Sequence, residues 1–253
     1  MEYVLITGAS GGIGYELSRI FCRNGYGLIM VSSDSGRLAR ARARLEQEFN
    51  MPITAYVQDL SYPGAAENLF ARLKKDTITI DILVNNAGCG LAGPAETIDF
   101  KSEEAMMALN MVTPAELIKL FLPGMYERGR GKILNVSSIG CFQPGPFTAA
   151  YFASKAFLTS YSRAVRFEAK RKGVDICVLC PGATDTDFFV KEGAKTPRNA
   201  MNPEKTAAYA FRKLMKNREI IIPGLLNRIM VKFPVRLKMI SVAGKKSGGM
   251  IRD

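Results

Sequence analysis

Short apolar runs recur along the chain at a steady interval. YVLI (3–6), GLIMV (27–31), ITAYV (53–57), DILV (81–84), KILNV (132–136) and VDICVLC (174–180) are rich in β-formers and continuous rather than alternating. That is the pattern of strands covered on both faces. Between them lie segments whose apolar residues fall at helical spacing. The segment 12–24 places Ile13, Leu17, Ile20 and Phe21 on one side, and 35–49 carries Leu38, Leu45 and Phe49. Segments 63–74, 102–127 and 148–172 continue the series. Strand and helix therefore alternate through most of the chain. This predicts an α/β fold, a doubly wound parallel sheet of Rossmann type, as one domain over 1–253. Right-handed crossovers then gather the strand carboxyl ends at one edge, where ligands bind.

Past residue 181 the rhythm changes. Residues 182–202 mix Gly, Thr, Asp, Pro and Asn with Phe188 and Phe189, which predicts a substrate-side loop with a short helix, able to act as a lid. A helix over about 203–216, with Pro203 at its start, and a strand at 219–222 follow. Residues 223–253 form a basic C-terminal extension. Its stretch PGLLNRIMVKFPVRLKMISVAGKK (223–246) reads best as a helix that covers the substrate pocket or meets another subunit. A membrane-surface helix is the rival reading. Pro234 interrupts any long helix and counts against it.

Composition adjusts this picture only slightly. Hydrophobic residues make up 47% and charged residues 23%, as in ordinary soluble globular chains. No window holds 18 uninterrupted apolar residues, and no basic region precedes a hydrophobic stretch near Met1, so the expected compartment is the cytoplasm. Cys22, Cys89, Cys141, Cys177 and Cys180 are expected to be reduced thiols. With no histidine and no paired CxxC, no metal site is expected. The formal charge is +12, and from Ile220 to Arg252 there are seven bases and no acid. With no Trp and no aromatic residues interleaved with a basic stripe, nucleic acid is not an expected partner.

The chemistry-bearing residues sit at the predicted strand ends. TGASGGIG (7–14) follows the first strand and opens the first helix. Its glycines let a ligand approach the main chain, and N–H groups at the helix start can hold a pyrophosphate. The second strand ends VSSDSGR, with no carboxylate at Ser32 or Ser33 to bond a free ribose 2′-hydroxyl. Ser32, Ser33 and Arg37 suit a 2′-phosphate, which favours NADP(H) over NAD(H); Asp34 reaching inward would reverse that preference. In YFASK, Tyr151 and Lys155 share one helix face, so the ammonium stabilises phenolate and lowers a phenol pKa of about 10. A phenol so placed does the proton chemistry for which histidine is the usual choice. YxxxK alone is common by chance. Its company is not: Ser137 and Ser138 end the fifth strand, NNAG (85–88) ends the fourth, and Asn110 puts a polar amide into the apolar MMALNMV.

Together, TGASGGIG, NNAG, Asn110, Ser138, YFASK and PGATDT, in this order and spacing, resemble the short-chain dehydrogenase/reductase family, strongly over about 1–190. The resemblance implies that Tyr151 is the acid/base, Lys155 lowers its pKa and binds the nicotinamide ribose, Ser138 bonds the substrate oxygen, and Asn110 holds a water for proton relay. It implies that Gly8, Ser10, Gly12, Ile13 and Gly14 line the pyrophosphate. Asp59, with Leu60 beside it, would meet the adenine, and Asn86, Ala87 and Gly88 would pack beneath the adenosine ribose. Pro181, Gly182, Thr184 and Thr186 fall at the nicotinamide end. Two departures stand out: Ser32 and Ser33 are neither acid nor arginine, and Cys89 follows NNAG where a larger apolar residue is frequent.

Expected substrate walls are Leu91, Cys141, Phe142, Gln143, Phe147, Phe188 and Phe189, mainly apolar, which suits a hydrophobic ketone, aldehyde or secondary alcohol. The rival reading is a redox-inactive dinucleotide-binding sensor. Retention of Asn110, Ser138, Tyr151 and Lys155 argues against it. The resemblance also implies a homodimer or homotetramer through helices 102–127 and 148–172.

Overall fold

The computed structural model describes residues 1–191 and 196–247; residues 192–195 of the expected 182–202 loop and 248–253 of the basic extension lie outside them. Seven strands form one parallel sheet: β1 (Tyr3–Thr7), β2 (Gly27–Ser32), β3 (Ile53–Val57), β4 (Ile82–Asn85), β5 (Gly131–Val136), β6 (Val174–Leu179) and β7 (Ile220–Ile221), in the order β3-β2-β1-β4-β5-β6-β7. Every run predicted from apolar continuity is a strand. The reason is visible in the packing. In β1, Val4 and Ile6 enter one core cluster, while Leu5 between them enters the other. The first cluster takes Leu17 and Phe21 from α1 (Gly12–Arg23), Leu38 and Leu45 from α2 (Ser35–Glu48), and Ala207 and Leu214 from α8 (Pro203–Met215). The second takes Leu69 and Leu73 from α3 (Ala65–Lys75), Leu117 and Phe121 from α5 (Thr113–Glu127), and Ala169 from α6 (Ala149–Lys170). With a core on each face, both faces of the strands are mainly apolar.

The segment expected as one helix over 102–127 is broken internally. It runs as α4 (Phe100–Met107), a π-helical turn (Ala108–Val112) and α5. Taken whole, Phe100–Glu127 is long and apolar enough to cross a membrane by length and composition, which the search for an uninterrupted apolar window did not flag. Its residues Leu117, Ile118, Phe121 and Met125 pack beneath the sheet, as a core helix does.

After β6 the chain forms a short α7 (Phe188–Lys191) in the predicted loop, then α8, whose N-cap Asn202 accepts the Lys205 N–H at 2.9 Å. The extension is two helices, α9 (Leu225–Met230) and α10 (Val235–Ser247), with Pro234 between them. Not one residue from Gly224 to Gly244 is buried. The strand order reverses between β1 and β4, which opens a crevice above their carboxyl ends.

Candidate active site

The crevice floor is held by one buried hydroxyl. Thr7, at the end of β1, accepts the N–H groups of Asn86 and Ala87 on Oγ1, both at 2.9 Å. The Asn86 amide donates back to the carbonyls of Thr7 (2.9 Å) and Gly8 (3.2 Å). The glycine loop and NNAG are thus a single hydrogen-bonded unit. Gly8 and Gly12 have φ of 65° and 54°, a region that favours glycine. Gly11 caps α1 without any side-chain hydrogen bond, so the first-turn N–H groups are not consumed by a side chain. Such a helix start fits a phosphate group.

A cavity of about 950 Å³ runs along this edge. Gly8, Ser10, Gly12, Ile13, Ser32, Ser33, Arg37, Asp59, Leu60, Asn86, Ala87 and Gly88 line it on the side of β1 to β4. Ser138, Gln143, Tyr151, Lys155, Pro181, Gly182, Thr184, Thr186, Phe188 and Phe189 line it on the side of β5 and β6. Gly14, expected at the pyrophosphate, lies outside the lining. A Cβ there would sit 2.3 Å from the Gly8 carbonyl oxygen, so its role is the close approach of α1 to the loop.

At the β2 end, the Ser10 and Ser32 hydroxyls are 2.8 Å apart. Asp34 does not reach inward: it caps α2, its Oδ1 accepting the Arg37 N–H at 2.8 Å. The Arg37 guanidinium crosses toward the glycine loop and pairs with Asp187, beyond Thr186. Asp59 accepts from the N–H (2.9 Å) and hydroxyl (2.7 Å) of Ser61.

At the other end, α6 presents Tyr151 and Lys155 together, the Lys155 Nζ lying 5.9 Å from the centre of the Tyr151 ring. Lys155 is 4% exposed and donates to the Val136 carbonyl at 3.0 Å. Burial pushes its ammonium down to about 8, against a weaker opposing influence of the Cys89, Cys180 and Cys141 thiols. Ser138 caps the 3-10 turn Ile139–Phe142, accepting the Gly140 N–H at 3.0 Å. Its neighbour Ser137 also touches the cavity, but its hydroxyl donates to the Lys155 carbonyl at 3.0 Å and so positions α6.

Asn110 stands behind the lining, 1% exposed, on the π-helical turn. It donates to the Cys89 carbonyl (2.9 Å) and the Ser154 hydroxyl (3.1 Å), and it accepts the Cys89 N–H at 3.2 Å. The extra residue of a π turn re-aims a side chain within an otherwise regular helix, and such turns gather at functional sites. A helical-wheel reading of MMALNMV has no signal for that turn.

Of the expected substrate walls, Gln143, Phe188 and Phe189 line this cavity. Leu91, Cys141, Phe142 and Phe147 lie outside the lining. The 3-10 turn sets side chains on a tighter period than an α-helix and turns Cys141 toward Cys180, sulfur to sulfur 3.8 Å. That hydrogen bond holds the Cys141 thiol down to about 7. The apolar lining also takes in Ala105 and Met106 of α4, Leu109 of the π turn, Phe152 of α6, and Met230, Phe233, Leu237 and Val242 in and between α9 and α10. Only the last group had a signal in the sequence, the apolar run read as a pocket cover. Thr7 had none beyond its place before Gly8. No group of side chains able to hold a metal ion occurs among the described residues.

The sequence model described as short chain dehydrogenase matches residues 2–197. Among curated proteins, the chain is 30% identical over 223 residues to a ketoacyl reductase, HetN, of Nostoc, covering 87% of this chain and 77% of that protein. It is 29% identical over 185 residues to a very-long-chain 3-oxoacyl-CoA reductase of Anas platyrhynchos, covering 71% of this chain but only 58% of that protein. Among solved structures, a short-chain dehydrogenase from Sphingobium yanoikuyae in complex with NADPH superposes with a TM-score of 0.85 at 28% identity, covering 100% of this chain and 97% of the other. The bulky-bulky ketone specific alcohol dehydrogenase from Comamonas testosteroni superposes with a TM-score of 0.81 at 28% identity, covering 100% and 96%.

Proposed function

This chain belongs to the short chain dehydrogenase family, and on that premise we propose that it is an NADP(H)-dependent oxidoreductase of hydrophobic ketones, aldehydes or secondary alcohols. The observation that carries the reading is the pairing of Tyr151 with buried Lys155 on one face of α6, in the same cavity as the glycine loop. When bound, the dinucleotide supplies or accepts the hydride. Gly8, Gly12 and the uncapped start of α1 hold its phosphates. The Tyr151 hydroxyl gives its proton to a carbonyl oxygen in reduction, and the Tyr151 phenolate takes one from an alcohol in oxidation. Below about 8 the Lys155 ammonium is charged and favours the phenolate. The Ser138 hydroxyl orients the substrate oxygen. Asn110 fixes residue 89 and, through Ser154, α6; a water held there relays the proton outward.

Ser32 and Ser33 place no acid at the ribose, and Asp34 is committed to its cap, which supports NADP(H) over NAD(H). The NADPH complex of the Sphingobium relative points the same way. Arg37 exchanges Asp187 for the 2′-phosphate in this reading. The apolar walls support a bulky hydrophobic substrate, as do the ketoacyl and bulky-ketone activities in the names of two relatives. Phe100 and Val112 along the α4–α5 segment and Phe157 and Phe167 on α6 are exposed, which supports self-association there. The five cysteines, none in a disulfide, suit a reducing, cytoplasmic setting.

A panel of ketones and aldehydes, each with NADPH and NADH and followed at the nicotinamide absorbance band, tests substrate class and cofactor together. Tyr151→Phe is expected to lower kcat by about 10²–10⁴-fold with NADPH affinity unchanged. Unaltered turnover removes the phenol from the mechanism.

A further inference from the structure

Half of the large apolar side chains standing exposed among the described residues fall between Leu225 and Ile240. Part of this is explained. Met230, Phe233, Leu237 and Val242 line the cavity. Leu225, Leu226, Ile229 and Ile240 do not, yet they are 65%, 73%, 47% and 62% exposed. On α10 the residues facing the cavity are Leu237, Lys238, Ser241 and Val242. At 100° per residue, Arg236, Met239, Ile240 and Ala243 then lie on the opposite side. Of these, Arg236 and Ile240 are exposed while Met239 and Ala243 are partly buried, so the side away from the cavity leaves an isoleucine beside an arginine in solvent. Exposed apolar residues gathered on two consecutive helices mark an interaction site.

Charge identifies the occupant. Arg228, Lys232 and Arg236 are all exposed, and the sequence has no acid from Ile220 to Arg252. A second copy docked face to face about a two-fold axis would set this cationic patch against itself. An anionic bilayer offers both complements, headgroup charge for the arginines and lysine and acyl chain for the leucines and isoleucines. We propose that α9 and α10 form a docking surface for the anionic face of a lipid bilayer, with Leu225, Leu226, Ile229 and Ile240 inserted and Arg228, Lys232 and Arg236 at headgroup level.

Pro234 counts against one long amphipathic helix but not against two short ones joined at that residue. Lys238 ties them to the enzyme body. Its Nζ donates to the Phe142 carbonyl at 3.0 Å and to the Val231 carbonyl at 3.1 Å, linking α10 to the 3-10 turn and to the end of α9. The docking residues stand in and between the same two helices that wall the cavity, so the cavity opens beside the bilayer. The docking does not depend on the reaction proposed above.

The test is flotation of the full chain with phosphatidylcholine vesicles, with and without phosphatidylglycerol. The wild-type chain is expected to float with the anionic vesicles, to stay behind with the neutral ones, and to be released by high salt. Near an anionic surface each cation contributes about fivefold in partitioning, so Arg228→Gln/Lys232→Gln/Arg236→Gln lowers it on the order of 100-fold. Leu226→Ser/Ile229→Ser/Ile240→Ser abolishes flotation. Both variants change exposed positions only, and an unaltered circular dichroism spectrum and NADPH affinity check that they are folded. Absence of wild-type flotation on anionic vesicles, or equal flotation of wild type and both variants, overturns the proposal. So does light scattering that shows the apolar variant turning a dimer into a monomer without any vesicle binding, since the face is then a subunit contact.

Discussion

The two ends of the cavity are built differently. At the glycine-loop end, backbone groups and one buried threonine form a closed network, and adding a single carbon at Gly8 or Gly14 would bring it within 3 Å of neighbouring atoms. At the far end the wall is α9 and α10, in which no described residue is buried. Both ends line one cavity, but α9 and α10 add no buried residue to the folded core. This separates chemistry from specificity. Groups that meet the constant part of the reaction sit where the core fixes them to tenths of an ångström, and groups that meet the variable part sit where substitution costs the fold little.

The sharpest way to break this contrast is Gly14→Ala. The new Cβ would lie 2.3 Å from the Gly8 carbonyl oxygen and 2.5 Å from the Asn86 amide nitrogen, both already hydrogen-bonded to each other. Neither can retreat without opening the loop. The expected loss is about 4 kcal/mol, at the upper end for a single substitution, read from urea unfolding midpoints. A variant as stable as the wild type shows that the loop end yields as easily as the helical wall.

Lys155→Met probes the same core from the opposite direction. Burial depresses the Lys155 ammonium from 10.5 to about 8. Below about 8 the lysine is charged in both folded and unfolded chains, and the folded state carries the whole penalty, about 3 kcal/mol. Between about 8 and 10.5 the unfolded chain binds the proton more tightly, so stability rises with pH across that window. Methionine removes the penalty and forfeits one hydrogen bond to Val136, worth about 1 kcal/mol. The free variant is therefore expected to be about 2 kcal/mol more stable at pH 7, to lack the rise between pH 8 and 10.5, and to be inactive. Thermal unfolding across pH checks the first two and a turnover assay the third, and a wild-type profile flat over that window shows that the lysine is solvated.

The same contrast governs what the sequence made legible. The strands β1 to β6 and the helices α1 to α3, α6 and α8 announce themselves because a core on each sheet face demands apolar periodicity. Gly12, Ser138, Tyr151 and Lys155 were recognisable because they sit at strand ends or share a helix face, where spacing fixes position. Asn110 was recognisable as a residue out of place, but not the π turn that carries it, since one inserted residue leaves no periodic trace. Leu91, Cys141, Phe142 and Phe147 are nearly all as apolar as a pocket wall requires, but apolar character alone does not place a side chain in the lining. The wall is made by helices distant in the chain, and no local pattern states which tertiary face a lightly packed helix will cover. The resemblance implies Gly14 at the pyrophosphate, but in sequence a glycine looks the same whether a phosphate or, as here, a neighbouring carbonyl needs the space.

Ser32→Asp sharpens the comparison at the ribose. The substitution puts a carboxylate where a hydroxyl now meets Ser10 at 2.8 Å. Repulsion of a 2′-phosphate at that distance from a half-buried charge is expected to cost about 2 kcal/mol, a roughly 30-fold rise in KM for NADPH. KM for NADH should hold or fall. Equal weakening of both cofactors places the ribose elsewhere.

The smallest effect is expected at the helical wall, and it is the one that tells a wall from a core. Leu237 lines the cavity yet is 56% exposed, so less than half of its side chain is removed from water on folding. At about 25 cal/mol per Å² of apolar surface, Leu237→Ala then costs the fold well under 1 kcal/mol, against 2–5 kcal/mol for a core leucine. A bulky ketone packed against the wall loses a contact of similar size, so KM for it rises about threefold to fivefold. A small aldehyde that does not reach α10 has no contact to lose, and its kinetic constants stay put. Steady-state kinetics on the two substrates, beside a urea unfolding curve, separate the cases. If Leu237→Ala instead unfolds the chain as a core truncation does, the extension is part of the core and the division between the two ends of the cavity fails. If both substrates shift alike, the wall positions α4 and the 3-10 turn rather than touching the substrate, and specificity has to be sought among Met106, Leu109 and Phe152.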